Sequence, residues 1–305
     1  MPSITLAESA KLANDELVAG VIANVITVNR MYELLPFDGI DGNSLAYNRE
    51  NVLGDVQVAA VGDTITAKAA ATFTKVNSNL TTILGDAEVN GLIQATRSGT
   101  TDQEAAQVQS KAKSAGRQYQ TMLATGDGTG NTFAGLPTLC AAGQKVATGA
   151  NGGALSFAFL DELLDLVTAK DGNVDYITMH ARTVRSYKAL VRALGGVMAD
   201  DVYEMPSGDR LIAYSGVPIF RNDYLAINQV KGSGSNQTTI FAGTLDDGSR
   251  THGLAGLTAA NNAGIVIEDV GIHQSKDEHI TRVKWYCGLA LFSEKGLAAA
   301  DGITN

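Results

Sequence analysis

The sequence predicts an α+β protein in which one long helix lies against a β-hairpin and an α/β segment is inserted between the two. Three observations carry this. A capped stretch beginning near residue 100 keeps an apolar stripe at helical spacing for about 24 residues. Two distant stretches, 70–89 and 264–293, alternate polar and apolar side chains as strands do. Between them, helix and strand patterns succeed one another from 156 to 243.

The long helix is signalled by Thr101 and, three residues on, Glu104, a capping box whose side chains satisfy backbone N–H groups left unpaired in the first turn. Ala105, Val108, Ala112, Ala115, Tyr119 and Met122/Leu123 then mark one face of a rod about 36 Å long. Asp102 and Glu104 sit at its start, and Lys111, Lys113 and Arg117 towards its end, in agreement with the helix dipole. Its stripe is mostly small or medium, which lets a sheet pack close. The glycines of Gly126-Asp-Gly-Thr-Gly130 end it in a reversal.

A chain of 305 residues with 45% apolar content can bury a large core. Only 18% of residues are charged, against about 25% in ordinary soluble domains, and 33 are glycine. A surface poor in charge predicts that much of it is covered by other chains. The net charge of -9 argues against tight nucleic-acid binding and leaves room only for weak or local contact. Cys140 and Cys287 lie far apart without a C-x-x-C pattern, so they read as reduced thiols. The N-terminus carries no secretory signature, and the near-apolar run Leu17–Val28 is too short to span a bilayer.

In chain order, residues 3–28 read as an amphipathic arm, with Leu17/Val18, Val21/Ile22 and Val25/Ile26 on one side. The arm lies across a neighbouring subunit or forms an ordinary core helix. From Pro36 to about Glu88, two strand-like pieces flank a weakly hydrophobic middle, the pattern of a long projecting hairpin. Phe73, Lys75, Asn77 and Asn79 share one face of its second strand. An isolated hairpin is marginal in water, so this one is expected to rest on another subunit. Ser156 caps a helix through Val167, Tyr176–Met179 is a buried strand, and Ala181–Leu194 is a second helix stopped by Gly195-Gly196. Strands follow at 211–215, 217–221 and 239–242, with Lys231–Asn236 as a flexible surface loop. The closing hairpin turns at residues 273–278, and the last dozen residues read as a peripheral tail.

No catalytic constellation emerges. The glycine cluster Gly126–Gly130 has the reversed order of elements for a dinucleotide fingerprint, and Ser215 lacks the glycine of a nucleophile elbow. His273 and His279 flank a polar turn at a spacing matching no zinc pattern. No cofactor and no metal site is predicted.

Several motifs, in order, carry a resemblance: Leu34-Leu-Pro-Phe37 with Ile40-Asp-Gly-Asn-Ser-Leu-Ala-Tyr-Asn-Arg-Glu50; Thr100-Thr-Asp-Gln-Glu-Ala105; Gly126-Asp-Gly-Thr-Gly-Asn-Thr-Phe-Ala-Gly-Leu-Pro137; Tyr176-Ile-Thr-Met-His180; Ser215-Gly-Val-Pro-Ile-Phe-Arg-Asn-Asp223; and Thr281-Arg-Val-Lys-Trp-Tyr-Cys-Gly-Leu-Ala290. With them the chain resembles, over nearly its whole length, the major capsid proteins of tailed bacteriophages. Their Hong Kong 97-type capsid fold is shared with encapsulin shells and herpesvirus capsid floors. The resemblance implies an N-terminal arm (1–35), an extended loop (36–90), a peripheral domain with the spine helix (91–137 and 255–293), an axial domain (138–254) and a C-terminal tail (294–305). It implies no enzymatic turnover. It also implies homo-oligomerisation through hexamers and pentamers into an icosahedral shell around double-stranded DNA, assembled in a bacterial host cytoplasm. Portal, scaffolding and decoration proteins are the expected partners, and no membrane. Contacts between subunits are expected at Leu17, Val21 and Val25 of the arm and at Arg49, Glu50, Lys68 and Lys75 of the loop. Lys68 or Lys75 is also the place for the lysine–asparagine crosslink of some relatives. The alternatives are an encapsulin-type compartment and, from another class, a cytoplasmic α/β enzyme binding a nucleotide at Gly126–Gly130.

Overall fold

The structure, a computed structural model, describes residues 31–97, 102–169, 172–194, 202–205, 208 and 210–304. The chain opens with α1 (Met31–Leu34), β1 (Phe37–Ile40), β2 (Ser44–Val52), β3 (Thr72–Asn79) and β4 (Thr81–Asn90). Helices α2 (Gly91–Arg97), α3 (Gln103–Thr125) and α4 (Leu136–Leu139) follow. The middle of the chain holds β5 (Gly153–Ala154), α5 (Phe157–Thr168), β6 (Tyr176–Met179), α6 (Ala181–Ala193), β7 (Val202–Glu204), β8 (Arg210–Tyr214) and β9 (Val217–Arg221). The last strands are β10 (Gln229–Lys231), β11 (Gly234–Gly243), β12 (Leu254–Ala259), β13 (Val266–Ile272), β14 (Glu278–Leu291) and β15 (Leu297–Thr304).

The helix α3 matches the predicted rod closely. Its cap differs: Asp102, not Thr101, is the N-cap, and its carboxylate accepts from the N–H groups of Glu104 and Ala105. A carboxylate one residue nearer the helix serves the same orphan donors and adds a charge favourable to the dipole. Glu104 is thereby released from capping and accepts from Thr281 Oγ1 on β14.

The helix lies on a five-stranded sheet built around β14, which pairs with β4, β13 and β12, while β1 runs parallel to β12. The predicted 264–293 hairpin is β13 and β14, joined by a turn over residues 273–277. Alternation decides its faces. Val283, Trp285 and Cys287, with Ile83, Ala87 and Val89 opposite, look towards α3; Arg282, Lys284, Leu84 and Asp86 look away. Gly85 faces the helix with no side chain of its own, and a Cβ there would lie 3.4 Å from Lys111. Small residues on both surfaces bring rod and sheet together.

The second sheet has the order β5-β15-β11-β6-β9-β8-β7, with β10 on β11. One face carries α5 and α6 over Ile177, Met179, Ile240 and Ala298. The other contributes Tyr176, Phe220 and Phe241 to a core shared with Tyr119, Leu123 and Leu289 of the first body. Ser156 caps α5 as expected, donating no bond itself but accepting from Phe159 N–H.

Three expectations are corrected here. The last dozen residues are no peripheral tail: β15 is buried between β5 and β11, with Leu297, Ala298 and Ile303 fully enclosed. Its alanines and glycine gave no hydrophobic signal, yet small side chains are what a strand sandwiched under α5 requires. Lys231–Asn236 is likewise not a flexible loop but the tight reversal between β10 and β11. Gly232 has φ +58°, and a Cβ there would meet Ala150 O at 2.4 Å. The segment expected to project, 36–90, stands off only over 44–79; its ends, β1 and β4, pair into the body sheet.

Candidate assembly surface

The most exposed feature of the described chain is the β2–β3 hairpin with its tip, residues 53–71. Strand alternation turns Leu45, Tyr47 and Arg49 towards the body and leaves Ala46, Asn48 and Glu50 in solvent. Leu45 and Tyr47 pack on a small core of Ile40, Ala255, Leu257, Ala290 and Phe292. The Tyr47 ring meets Phe292 edge-on at 5.2 Å, and its hydroxyl donates to Leu291 O at 2.7 Å. Arg49 fixes the same point: Nη2 donates to Leu291 O at 2.6 Å, Nε to Phe292 O at 3.1 Å, and Nη1 meets Glu294 at 2.8 Å. A planar guanidinium satisfying two carbonyls and a carboxylate makes a stiff clamp.

Beyond the clamp the strands end and one side chain organises the tip. Gln57 Oε1 accepts from Thr66 N–H, Thr66 Oγ1 and Ala67 N–H, and Gln57 Nε2 donates to Thr64 O. Asp63 closes the turn by accepting from Ala60 N–H at 2.7 Å, with Gly62 at φ +95°. Around this scaffold Leu53, Val56, Val58, Val61 and Ile65 are exposed, Val58 and Val61 fully. A stable tip that displays its apolar side chains is a surface made to be covered. Nothing in the sequence pointed to Gln57. Its signal, one glutamine facing a run of small residues, has no helical or strand period.

Of the interaction residues expected from sequence, Leu17, Val21 and Val25 lie outside the described residues. Arg49 is half-buried and bound within the chain. Glu50, Lys68 and Lys75 are all exposed; Lys75 pairs across the hairpin with Asn48, and Lys68 sits in the tip. On the outer side of the body sheet Leu84 is more than half exposed, while Ile267 and Ile272, paired with Val283 and His279, are exposed on the opposite face of the edge strand β13. Beside Leu84 run the ion pairs Arg282–Asp86, bidentate at 2.7 and 2.8 Å, and Lys284–Glu268. The Arg282 guanidinium lowers the Asp86 carboxyl below its ordinary range.

The glycine cluster has its own internal purpose. Gly126 and Gly135 lie where α3 ends, and a Cβ on either would stand 2.4 Å from Met122 O. Asp127 occupies the middle of the turn, accepting from Thr129 N–H at 3.0 Å, from Thr129 Oγ1 at 2.7 Å and from Thr132 Oγ1 at 2.8 Å. Those bonds draw its pKa down to about 2. A phosphate approaching this turn would meet a carboxylate that already holds the donors. Ser215 takes a positive φ in the two-residue turn before β9. His273 Nδ1 accepts from Ser275 N–H in the β13–β14 turn, while His279 stands on β14 with Glu104 and Asp269 each 3.1 Å from a ring nitrogen. Among the described residues no group of His, Cys, Asp or Glu has the arrangement to hold a metal ion. Both cysteines are buried and free, and burial pushes Cys140 up to about 11 and Cys287 to about 12. Among the described residues no helix is long and apolar enough to cross a membrane.

A clamped, outreaching hairpin, a long helix laid on a sheet, and a second sheet flanked by two helices together define the Hong Kong 97-type capsid fold. No protein-family model and no curated protein matches the sequence. Solved structures do. The SrpI encapsulin of Synechococcus elongatus, solved as a holo complex, superposes with a TM-score of 0.73 at 19% identity, covering 99% of this chain and 96% of that one. The capsid of a native GTA particle gives 0.66 at 12% identity over the full length of both chains. The capsid of the Myoviridae phage XM1 gives 0.62 at 10% identity, with 99% and 100% covered. The proteins matched are subunits of assembled shells.

Proposed function

We propose that this chain is the major capsid protein of a tailed double-stranded DNA bacteriophage, forming hexamers and pentamers that close into an icosahedral shell. The observation that carries the reading is the hairpin. Its base is clamped by Arg49 and Tyr47, its tip is held by Gln57, and its valines and leucine have no cover among the described residues. Docked on a neighbour, such a tip adds one of many modest contacts, each burying about 1,000–2,000 Å² in total, that sum to a closed shell. The virion capsid is then its location, and portal, scaffolding and decoration proteins its partners. Lys68 and Lys75, both exposed on the hairpin, are the residues assigned to contact with a neighbour.

An encapsulin-type compartment is the second reading, favoured by the TM-score of 0.73 to the SrpI encapsulin. The test is negative-stain microscopy of the purified protein beside a variant lacking residues 53–71. Shells or rings from the full chain, and a folded but unassembled deletion variant, support the shell role. Normal shells from the deletion variant refute the assigned role of the hairpin. Portal and DNA co-purifying with shells made in the native host would favour the phage; peptide-tagged enzymes would favour the compartment.

A further inference from the structure

Charge is unevenly placed on this chain. It has 32 acidic and 23 basic side chains, yet α6 carries Arg182, Arg185, Lys188 and Arg192 and no acid. Helical spacing turns Thr183 and Tyr187 to the sheet, where both are buried, and leaves Arg185, Lys188 and Arg192 exposed. Tyr187 holds the helix in place by donating to Ala213 O at 3.0 Å, and Arg182 donates to the carbonyls of Ile227 and Asn236. His180 caps the start, its Nδ1 accepting from Arg182 N–H. The helix is therefore fixed from beneath, and three further cations stand on its exposed side.

A groove of about 330 Å³ runs beside it, lined by Val184, Lys188, Leu211 and Ile219, with Arg210 and Arg221 at the rim. Those two arginines already face carboxylates, Glu204 at 3.7 Å and Asp223. Arg185, Lys188 and Arg192 have no carboxylate partner among the described residues. Among the described residues the uncompensated charge thus sits on the helix ridge.

We propose that the outer face of α6 binds the phosphate backbone of a nucleic-acid duplex. The three cations rise along the helix in steps of about 4.5–6 Å, a row that a line of phosphates can follow. The exposed positions among them, Ala189 and Ala193, are small. A protein partner would want a protruding apolar anchor there, whereas a charged rod needs only close approach. The neighbouring α5 carries Asp161, Glu162 and Asp165, all exposed, so the duplex lies along α6 and not across both helices. The binding is local and sequence-independent, in keeping with a chain whose net charge is -9. It stands apart from the shell reading, because it is measured by titration and not by assembly.

The test is fluorescence anisotropy of a labelled duplex of about 24 base pairs, titrated with the purified full chain across a salt series; three phosphate contacts predict a log–log salt slope of about −2.7. Arg185→Gln/Lys188→Gln/Arg192→Gln should flatten the slope towards zero and weaken binding at low salt at least about tenfold. Arg185→Lys/Arg192→Lys, which keeps the charge, should retain the slope, and so should Lys68→Gln/Lys75→Gln on the hairpin. An unbound duplex at low salt overturns the proposal, as does an unchanged slope in the triple variant. Displacement of the duplex by poly-glutamate as readily as by unlabelled DNA would reassign the face to an acidic protein.

Discussion

Removing the Tyr119 ring tests what holds the long helix on its sheet. Tyr119 is fully buried, stacks on Trp285 at 4.7 Å and meets Phe133 at 5.2 Å and Phe37 at 5.9 Å. One side chain of α3 therefore joins β14, β1 and the segment after the glycine turn. Tyr119→Ala should cost about 3–5 kcal/mol, the range for deleting a buried aromatic, of which each lost ring pair accounts for about 0.5–1.5. At about 2–4 °C per kcal/mol that is a fall of roughly 6–20 °C in melting temperature. Tyr119→Phe keeps the rings and loses the hydroxyl, whose bond to Gly288 O is long at 3.3 Å, so it should cost about 1 kcal/mol or less. The assay is equilibrium urea unfolding followed by tryptophan emission. Trp285 is the only tryptophan of the chain, so the signal reports this contact directly. A Tyr119→Ala midpoint indistinguishable from wild type, or a Phe variant as weak as the Ala variant, would refute the reasoning.

Arg49→Ala should free the hairpin base, removing hydrogen bonds worth about 1.5–3 kcal/mol and raising amide exchange across β2 and β3 while the spine helix stays protected; uniform protection would show that Tyr47 and Leu45 suffice. Asp127, lowered from 3.8 to about 2, stabilises the turn as a carboxylate, so its contribution is present above about pH 4 and is lost as pH falls through 2. Asp127→Asn should flatten that part of the melting-temperature profile between pH 5 and about 2, and an unchanged acid limb would assign it to other carboxylates.

Elements with a strong period were legible in the sequence. The α3 stripe, the β13–β14 alternation and the Ser156 cap translate directly into burial, because each is a local consequence of backbone geometry. Small residues hid the rest. Ala298, Ala299 and Ala300 of β15 read as surface filler, and only the tertiary fit under α5 shows why bulk is excluded there. The Thr101–Glu104 interval reads as a capping box because it is a local pattern, whereas His279 and Thr281, far off in sequence, claim Glu104 and Asp102 caps the helix. In the assembly surface, the exposed alternation of the hairpin was visible. The clamp on residues 291–294 and the Gln57 knot were not, since both join segments with no shared period.

The position of β15 sets an order for synthesis. This strand fills the gap between β5 and β11, while β14 seats β4, β12 and β13. A ribosome therefore delivers the two strands that complete both sheets only after every other strand has emerged. Until then the nascent chain carries open sheet edges and a hairpin tip rich in exposed valine, the combination that invites premature association. Such distant pairing folds slowly. A fold whose two sheets are closed by β14 and β15 presents neither sheet complete until those strands have emerged, so the direction of translation sets when its finished surfaces first exist.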